Sequence, residues 1–413
     1  MKVSPAAIES TAAVAGPPDR AYITRILLLF CFGWAIVYAD RTILYPLIPV
    51  VKQDLGLTAA QAGWIMGLYF LMYAPAQGMG GIIADWLGVK RILVTFVTVA
   101  GLGLVLLGTA ASYPMILLAV AIHGFGSGCY YVGAYGITMQ TVPTRVRGIA
   151  TAVVNSGMSL GLVTGLLAAE PLYRVADNWH APFLMLAVPT LAAAAAYQAL
   201  IRPVARHKFT VRGVGAFFRD RHLLCLALAD FTGVYAYFVT LQWGPAFFQA
   251  ERGFGILKSG VFTAILAVAA LPAGIAMGRL SDRLGRKRLS LAMLPFAGLC
   301  VVALPLVHSE ALLLFVLVAY GLVGKLAWDP VVYAWAGDRV TSAHPGTVAG
   351  CMGIFAFVAL SSAFVAPVVT GWIRDLTGSL AGGFYLAGAL PLLGTLLLLI
   401  PGETVHKRVP APK

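Results

Sequence analysis

Twelve long apolar runs follow one another along this chain, separated by short charged segments. A helix needs about 20 mostly apolar residues to cross a bilayer. The runs fall near residues 23–50, 60–83, 92–111, 114–141, 149–173, 181–202, 222–248, 259–280, 289–308, 311–338, 346–373 and 380–401. Only 11% of the 413 residues are charged and 60% are hydrophobic, whereas a soluble domain carries about 25% charged residues. The sequence therefore predicts an all-α polytopic membrane protein with twelve transmembrane helices.

Two features describe the shape of these helices. The first, fourth, seventh and tenth runs are long enough for the helix to tilt or bend. In the fifth run Gly157, Gly161 and Gly165 follow one another at intervals of four residues. Small residues at this spacing let a neighbouring helix approach closely, so we expect them to serve packing.

Basic residues lie mostly on one side of the predicted membrane. That side contains the N-terminus, the loops from even to odd helices and the C-terminus. The opposite side carries only Lys52, Arg174, Arg252, Lys258 and Arg374. The positive-inside rule then places both termini in the cytoplasm, and we expect a multi-pass protein of the inner membrane. The net charge of +13 reflects this asymmetry, and we expect no nucleic-acid partner.

A charged loop motif occurs twice, about half a chain apart. Residues 278–288 read GRLSDRLGRKR, and residues 81–91 give a weaker copy, GIIADWLGVKR. The aspartates of the two copies are 197 residues apart, and Gly148 and Gly346, in a second repeated stretch, are 198 apart. Two pairs at nearly one spacing indicate an internal duplication. In a membrane protein, duplicated halves enclose a binding site near the midplane.

The residue types of this loop suit a gate between helices. Glycine lets two helix ends approach, and aspartate can cap a neighbouring helix N-terminus and complement its dipole. The basic residues can anchor the turn at an anionic cytoplasmic surface. The candidate gating residues are Gly81, Asp85, Gly88, Lys90, Arg91, Arg147, Gly278, Asp282, Arg283, Gly285 and Arg286.

Both loops resemble the Gly-x-Leu-x-Asp-Arg-x-Gly-Arg-Lys motif of the major facilitator superfamily. The second copy fits closely, whereas the first has Trp86 and Val89 where the family usually has basic residues. The resemblance covers nearly the whole chain and implies two six-helix bundles that transport by alternating access. We expect a cytoplasmic tail at 1–21, bundles at 22–202 and 222–401, a basic cytoplasmic linker at 203–221 and a second tail at 402–413.

Five ionisable residues fall well inside the apolar runs: Asp40, Arg41, Asp230, Lys325 and Asp329. A charge at membrane depth costs about 2.5–3.5 kcal/mol even on the lenient insertion scale, so such residues indicate a functional site. In the superfamily, helices 1, 4, 7 and 10 line the central cavity, and all five residues lie on helices of that set. Helix 4 adds His123, Tyr130, Tyr131 and Tyr135.

The spacing of these charges leaves alternatives open. Lys325 and Asp329 share a helix face and can pair. That pair either stabilises helix 10 or lets a substrate anion compete with Asp329 for Lys325. Asp40 and Arg41 are adjacent and point in different directions, so each needs another partner. Asp230 either carries a proton or pairs with a cation.

Residues 38–42, Tyr-Ala-Asp-Arg-Thr, resemble the Asp-Arg sequence in helix 1 of the anion:cation symporter branch. That branch carries organic anions, and its arginine is associated with the substrate. Residues 143–148 (PTRVRG) and 155–157 (NSG) resemble the same branch. Val120 marks a departure from it, because many relatives have an arginine near this position of helix 4 that is linked to proton coupling. His123, one turn away, either takes over that role or is a packing residue.

We therefore expect a secondary active transporter, with proton-coupled uptake of a small organic anion such as a carboxylate or sugar acid. A proton-driven exporter of amphipathic compounds is the alternative, although helix 5 lacks the Gly-Pro motif of antiporters. A ligand sensor without transport is a third reading. The candidate substrate-binding residues are Arg41, His123, Tyr130, Tyr131, Tyr235, Lys325 and Trp328, and the candidate proton-coupling residues are Asp40, Asp230 and Asp329.

The sequence contains no P-loop, metal-ligand cluster or nucleophile elbow. The five cysteines lie in or beside apolar runs and form no Cys-x-x-Cys pair, which disfavours disulfides and metal ligation. We therefore expect neither an enzyme nor a cofactor or metal. The expected partners are a small-molecule substrate, protons and the lipid bilayer, and the expected state is a monomer.

Overall fold

A computed structural model describes residues 19–143, 146–202, 214–344 and 346–405, with backbone alone for Ile82, Asp85, Val214 and Ala349. Helices 1 to 6 are Arg20–Asp54, Ala59–Leu87, Val89–Leu107, Tyr113–Thr141, Arg147–Ala176 and His180–Leu200. Helices 7 to 12 are Arg221–Arg252, Ile256–Leu284, Arg286–Leu306, Glu310–Ala343, Val348–Thr377 and Ala381–Leu397, and a short helix at Val214–Arg219 precedes helix 7.

The twelve predicted helices are present in the part of the chain that the structure describes. Ten of them are long and apolar enough to cross a membrane. Ala59–Leu87, with 29 residues, and Ala381–Leu397, with 17, complete the set. They form the two six-helix bundles that were expected, each with its own buried apolar cluster, and a third cluster contains residues of both bundles. The predicted basic linker falls largely on residues 203–213, outside the described residues.

Helices 1, 4, 7 and 10, which were expected to tilt or bend, each contain a local irregularity. The breaks lie at Ile43, Cys129 and Gly324, and helix 7 contains a π-helical turn at Val239–Trp243. Two causes are visible in the sequence. Pro46 and Pro245 follow the breaks in helices 1 and 7, and a proline has no N–H to give to the carbonyl four residues earlier.

The glycines of helix 5 pack directly on helix 1. A Cβ on Gly161 would overlap the carbonyl of Ala35 and would lie 2.7 Å from the Cβ of Tyr38. Gly157 and Gly165 are equally close to helix 1. This confirms that the ladder serves packing, because the two backbones could not approach so closely with larger residues.

The two copies of the loop motif adopt the same turn. A single glycine joins helices 2 and 3 and another joins helices 8 and 9: Gly88 has φ 86° and Gly285 has φ 101°. These positive values favour glycine because it lacks a Cβ. The shared geometry at equivalent positions supports the internal duplication.

The loop aspartate does not cap the next helix in the copy whose side chains are described. Asp282 instead lies 3.7 Å from Arg286, which also pairs with Asp338. Glu403, beyond helix 12, accepts hydrogen bonds from the backbone N–H groups of Arg286 and Lys287, 3.0 Å each. Asp282 therefore makes no capping hydrogen bond with the described residues in this conformation, and a carboxylate distant in sequence fills the N-terminus of helix 9. The Asp85 side chain lies outside the described residues.

Substituting Gly161 with alanine should destabilise the protein by about 1–3 kcal/mol, the usual range for overpacking. Gly353→Ala in helix 11 is the matched control, since nothing lies within 4 Å of a Cβ built there. That change should be neutral or stabilise by up to about 1 kcal/mol through helix propensity. Thermal unfolding of the purified variants measures both. Equal melting temperatures for the two would contradict the packing role.

Candidate functional site

Arg41 lies near the break in helix 1 and is surrounded by aromatic rings. Its guanidinium carbon is 3.8 Å from the centroid of the Tyr38 ring and 5.2 Å from that of Phe70. Only 7% of Arg41 is exposed. Its Nε has no hydrogen-bond partner among the described residues. No ion pair formed by these residues includes Arg41. Aromatic faces hold the cation and leave its N–H donors available.

Phenol groups add to this environment. Tyr38, Tyr45, Tyr69 and Tyr73 are all within electrostatic range of the Arg41 guanidinium. A phenol O–H can donate to an anion without a charge of its own to neutralise. The surroundings of Arg41 are therefore suited to holding an organic anion next to a fixed positive charge.

A small enclosed cavity lies beside Arg41 inside the N-terminal bundle. It is lined by Asp40, Arg41, Leu44, Tyr45, Met66, Tyr69, Leu107, Val120 and His123. It leaves about 20 Å³ for the centre of a water molecule, which is room for about one water. A carboxylate substrate does not fit there, so this cavity is not itself the binding site.

Asp40 and His123 face this pocket with incomplete hydrogen bonding. Thr190 of helix 6 donates to Oδ2 of Asp40 at 2.8 Å, and Oδ1 has no partner among the described residues. The Nδ1 of His123 lies 3.2 Å from the carbonyl of Ala100, which assigns the proton to Nδ1 and leaves Nε2 as an acceptor. His123 is thus placed in the closed pocket, next to Tyr69, rather than in an open substrate cavity.

A second charged cluster lies in the C-terminal bundle. Lys325 and Asp329 form an ion pair on helix 10, with 14% and 29% of their side chains exposed. Asp230 of helix 7 is fully buried, and neither of its carboxylate oxygens has a hydrogen-bond partner in the part of the chain that is described. The charges of Asp329 and Lys325 both act on Asp230. The structure thus brings together the three ionisable residues that were predicted on helices 7 and 10.

Other predicted binding residues lie in different environments. Tyr130 is fully buried, and its O–H donates to the carbonyl of Phe30 and contacts the hydroxyl of Tyr197. Trp328 donates to Ser290 from the interior of the C-terminal bundle. Both side chains are buried and already have hydrogen-bond partners. Tyr235 is buried with an unpartnered hydroxyl among the described atoms, whereas Tyr131 is 43% exposed.

Gln242 is a feature that the sequence analysis missed. It lies in the π-helical turn of helix 7 and is fully buried, and its side-chain amide lies next to the hydroxyl of Tyr45. π-helical turns occur frequently at functional sites. The sequence signal was a lone amide in a long apolar run.

The two bundles are packed tightly at the end of the molecule opposite the chain termini. Helices 2 and 11 meet there through glycines, since a Cβ on Gly63 would overlap the carbonyl of Pro367. Nearby, Asp375 of helix 11 accepts hydrogen bonds from the first backbone N–H groups of helix 2, those of Ala59 and Ala60, at 2.8 and 2.7 Å.

Helices 5 and 8 repeat this arrangement. Glu170, near the end of helix 5, accepts a 2.6 Å hydrogen bond from the backbone N–H of Leu257 at the start of helix 8. A carboxylate of each bundle thus caps a helix of the other. Each cap satisfies orphan N–H groups and complements the helix dipole. The two caps hold this end of the protein closed.

The structure consists of two bundles of membrane-spanning helices, some of them interrupted, that enclose buried charged residues. This is the architecture of a membrane transporter. The sequence model of the Major Facilitator Superfamily matches residues 30–363. The chain therefore belongs to the Major Facilitator Superfamily. Membership of this family makes it a multi-pass membrane transporter of small molecules rather than an enzyme.

Two curated relatives align over nearly the whole chain. The Probable sulfoacetate transporter SauU of Cupriavidus necator is 25% identical over 404 residues, which cover 91% of this chain and 92% of the relative. The Hexuronate transporter of Bacillus subtilis is 26% identical over 411 residues, which cover 91% and 93%.

A solved structure shares the fold. It is a bacterial homolog to the human lysosomal transporter Spinster, in an inward-facing and unoccupied conformation. The TM-score is 0.75 at 17% identity, and the match covers 93% of this chain and 96% of that one. At this level of identity the similarity concerns the fold alone.

Replacing Asp375 and Glu170 together with alanine should loosen the closed end, because each lost cap costs about 0.5–2 kcal/mol. Spin labels at Gln53→Cys and Thr377→Cys, in a background with Cys31→Ser and Cys225→Ser, report the distance between the bundles at this end. We expect a broader distribution that extends to longer distances.

The matched control is Glu310→Ala, which removes a carboxylate at the same end that pairs with Lys258 inside one bundle. It should leave the distance distribution unchanged. Identical distributions for the double variant and the unmodified protein would show that the caps do not hold the bundles together.

Proposed function

We propose that this protein takes up small organic anions together with protons by alternating access, with Arg41 as the principal anion-binding residue. The observation that carries the proposal is the environment of Arg41. It is a buried cation that the described residues surround with aromatic rings and phenols and with no paired carboxylate. A fixed positive charge at membrane depth is costly unless an anion or a functional role accompanies it.

The chemistry of the relatives' substrates agrees with this proposal. Sulfoacetate and hexuronate are both small organic anions, and the proteins named for them align with this chain almost from end to end. Arginine offers such anions a planar pair of N–H donors that matches a carboxylate.

Asp40 is our candidate for the coupling proton in the N-terminal bundle. It is next to Arg41 in sequence and shares the small pocket with it, and its Oδ1 has no hydrogen-bond partner among the described atoms. When Asp40 is ionised it offsets the charge of Arg41. An anion that binds to Arg41 then gives the site a net charge of about −1, and a proton on Asp40 neutralises that charge. Asp230 and Asp329 offer a second place for a proton in the C-terminal bundle.

Orientation follows from the basic loops. We propose that the termini are cytoplasmic, in the inner membrane, with bundles at 22–202 and 222–401 joined by the linker at 203–221. The closed end then faces away from the cytoplasm in this conformation. A symporter releases its substrate into the cell from a conformation that is closed on this side. We expect the monomer to be the transporting unit.

Arg41→Lys should lower the affinity for glucuronate and sulfoacetate about tenfold or more, because lysine keeps the charge and loses the bidentate geometry. Arg41→Ala should abolish binding. Isothermal titration calorimetry on the purified protein measures affinity, and uptake into proteoliposomes under a proton gradient measures transport. The control is Arg174→Lys, on a side chain that is 75% exposed. Normal binding by Arg41→Lys, or unchanged affinity in Arg41→Ala, would refute the assignment.

Asp282→Ala and Asp85→Ala should slow transport without preventing folding or membrane insertion. In this conformation the Asp282 side chain is 67% exposed, and its one ion pair among the described residues is with Arg286 at 3.7 Å. An exposed pair of this kind contributes about 0–1 kcal/mol to stability. A transport defect would therefore arise in another conformation of the cycle. Transport turnover is measured in proteoliposomes, and the melting temperature of each variant shows whether it is folded. Glu310→Ala is the control. Unmodified turnover in both well-folded variants would exclude a gating role for the loop.

A further inference from the structure

The charged cluster in the C-terminal bundle contains more carboxylates than cations. Among the described residues of this cluster, Lys325 is the cation and Asp230 and Asp329 are the carboxylates. Lys325 pairs with Asp329, and both act electrostatically on Asp230. One excess charge at membrane depth is costly. A merely structural ion pair on helix 10 would need only one carboxylate. Asp230 therefore requires an explanation beyond the stability of helix 10.

Lys325 occupies an unusual position in its helix. It is the first residue of the segment Lys325–Ala343, which begins inside the membrane after the break at Gly324. The N-cap residue is glycine and provides no side-chain cap. The N-terminus of a half-helix carries a partial positive charge and free N–H groups, which favour an anion. Broken helices of transporters present such N-termini to anionic substrate groups.

Lys325 and Arg41 share a neighbour between the bundles. The Tyr38 phenol lies under the Arg41 guanidinium and is also within electrostatic range of Lys325. Tyr38 is only half-buried. Tyr38 and Arg41 are on helix 1 and Lys325 is on helix 10, so the two cations belong to opposite bundles.

We propose that Lys325 is a second anion-binding subsite, which makes the transporter selective for substrates with two acidic groups. Arg41 holds one acidic group, and the other displaces Asp329 from Lys325. This inference rests on the proposed role of Arg41. In the absence of such a substrate, Asp329 is the internal anion that occupies Lys325.

The charge count links this exchange to protons. An acidic group at Lys325 would give the cluster three negative charges and one positive charge. Protonation of Asp230 or Asp329 lowers that excess, so binding of the second acidic group takes up a proton. Among the described residues, the titratable groups that interact with Asp230 are Lys325, Asp329 and the phenol of Tyr333, all from helix 10. Binding of a dianion should therefore take up more protons than binding of a monoanion.

Two matched ligand pairs test the selectivity: succinate with its monoamide succinamate, and sulfoacetate with sulfoacetamide. Each pair differs in one acidic group and little in size. Calorimetry on the full-length protein in nanodiscs should show that the dianion binds about tenfold to a hundredfold more tightly, the ratio that one charge-assisted hydrogen bond supports. Titrations in two buffers of different ionisation enthalpy should show the larger proton uptake with the dianion.

Removing Lys325 alone would leave two neighbouring carboxylates without a cation, so the decisive variant is Lys325→Gln with Asp329→Asn. This double change removes one charge of each sign and keeps a hydrogen-bonding pair four residues apart on the helix. We expect the dianion preference to fall to about twofold or less, while the monoamide still binds through Arg41. Glu310→Gln with Lys258→Gln, which neutralises an exposed pair in the same bundle, should keep the full preference.

The outcomes separate this inference from the proposed function. If the unmodified protein binds acid and monoamide equally well, or if the double variant keeps its preference, Lys325 and Asp329 are only a structural pair and the role of Arg41 stands. If neither acid nor monoamide binds at all, both proposals fail. Equal proton uptake for the dianion and the monoamide would also overturn the exchange at Lys325.

Discussion

The burial of Arg41 at membrane depth is the constraint on which the rest of the site depends. A guanidinium loses its hydration there, and the described residues offer it aromatic faces in place of a carboxylate. A carboxylate partner would satisfy the arginine but would also compete with any anionic substrate. Rings stabilise the cation more weakly and do not occupy its N–H donors. The site is stable enough to fold and remains electrostatically unsaturated, as binding of an anion requires.

The breaks in helices 1, 4, 7 and 10 serve the same purpose. A continuous helix in lipid satisfies its backbone groups internally, so it offers a substrate only side chains. The interruptions at Ile43 and Gly324 and the π-helical turn that holds Gln242 change this locally. They leave backbone N–H and C=O groups without an intrahelical partner, and they change the direction of nearby side chains. Arg41 and Lys325 both lie within two residues of such a break.

The fold could be predicted from the sequence because its signals are one-dimensional: apolar runs of fixed length, basic loops and a repeated motif. The five buried charges were equally visible, since each interrupts an apolar run. The direction of a side chain was not visible. Helices that are apolar on every face carry no periodicity to show which way Tyr130 or Trp328 points, and both proved to be packed inside a bundle. The cap that Glu403 supplies to helix 9 depends on a contact across 117 positions of sequence.

The caps by Asp375 and Glu170 show why a transporter can close one end without locking it. Large apolar interfaces in lipid gain no hydrophobic energy on association, so close packing and polar contacts must hold the helices together. A carboxylate on a helix N-terminus contributes about 0.5–2 kcal/mol. Two such contacts, at equivalent places on the two bundles, bias the closed state by an amount comparable with the binding energy of a small anion. A substrate at Arg41 can therefore shift the equilibrium between the two ends, because the differential affinity that it must supply is only a few kcal/mol.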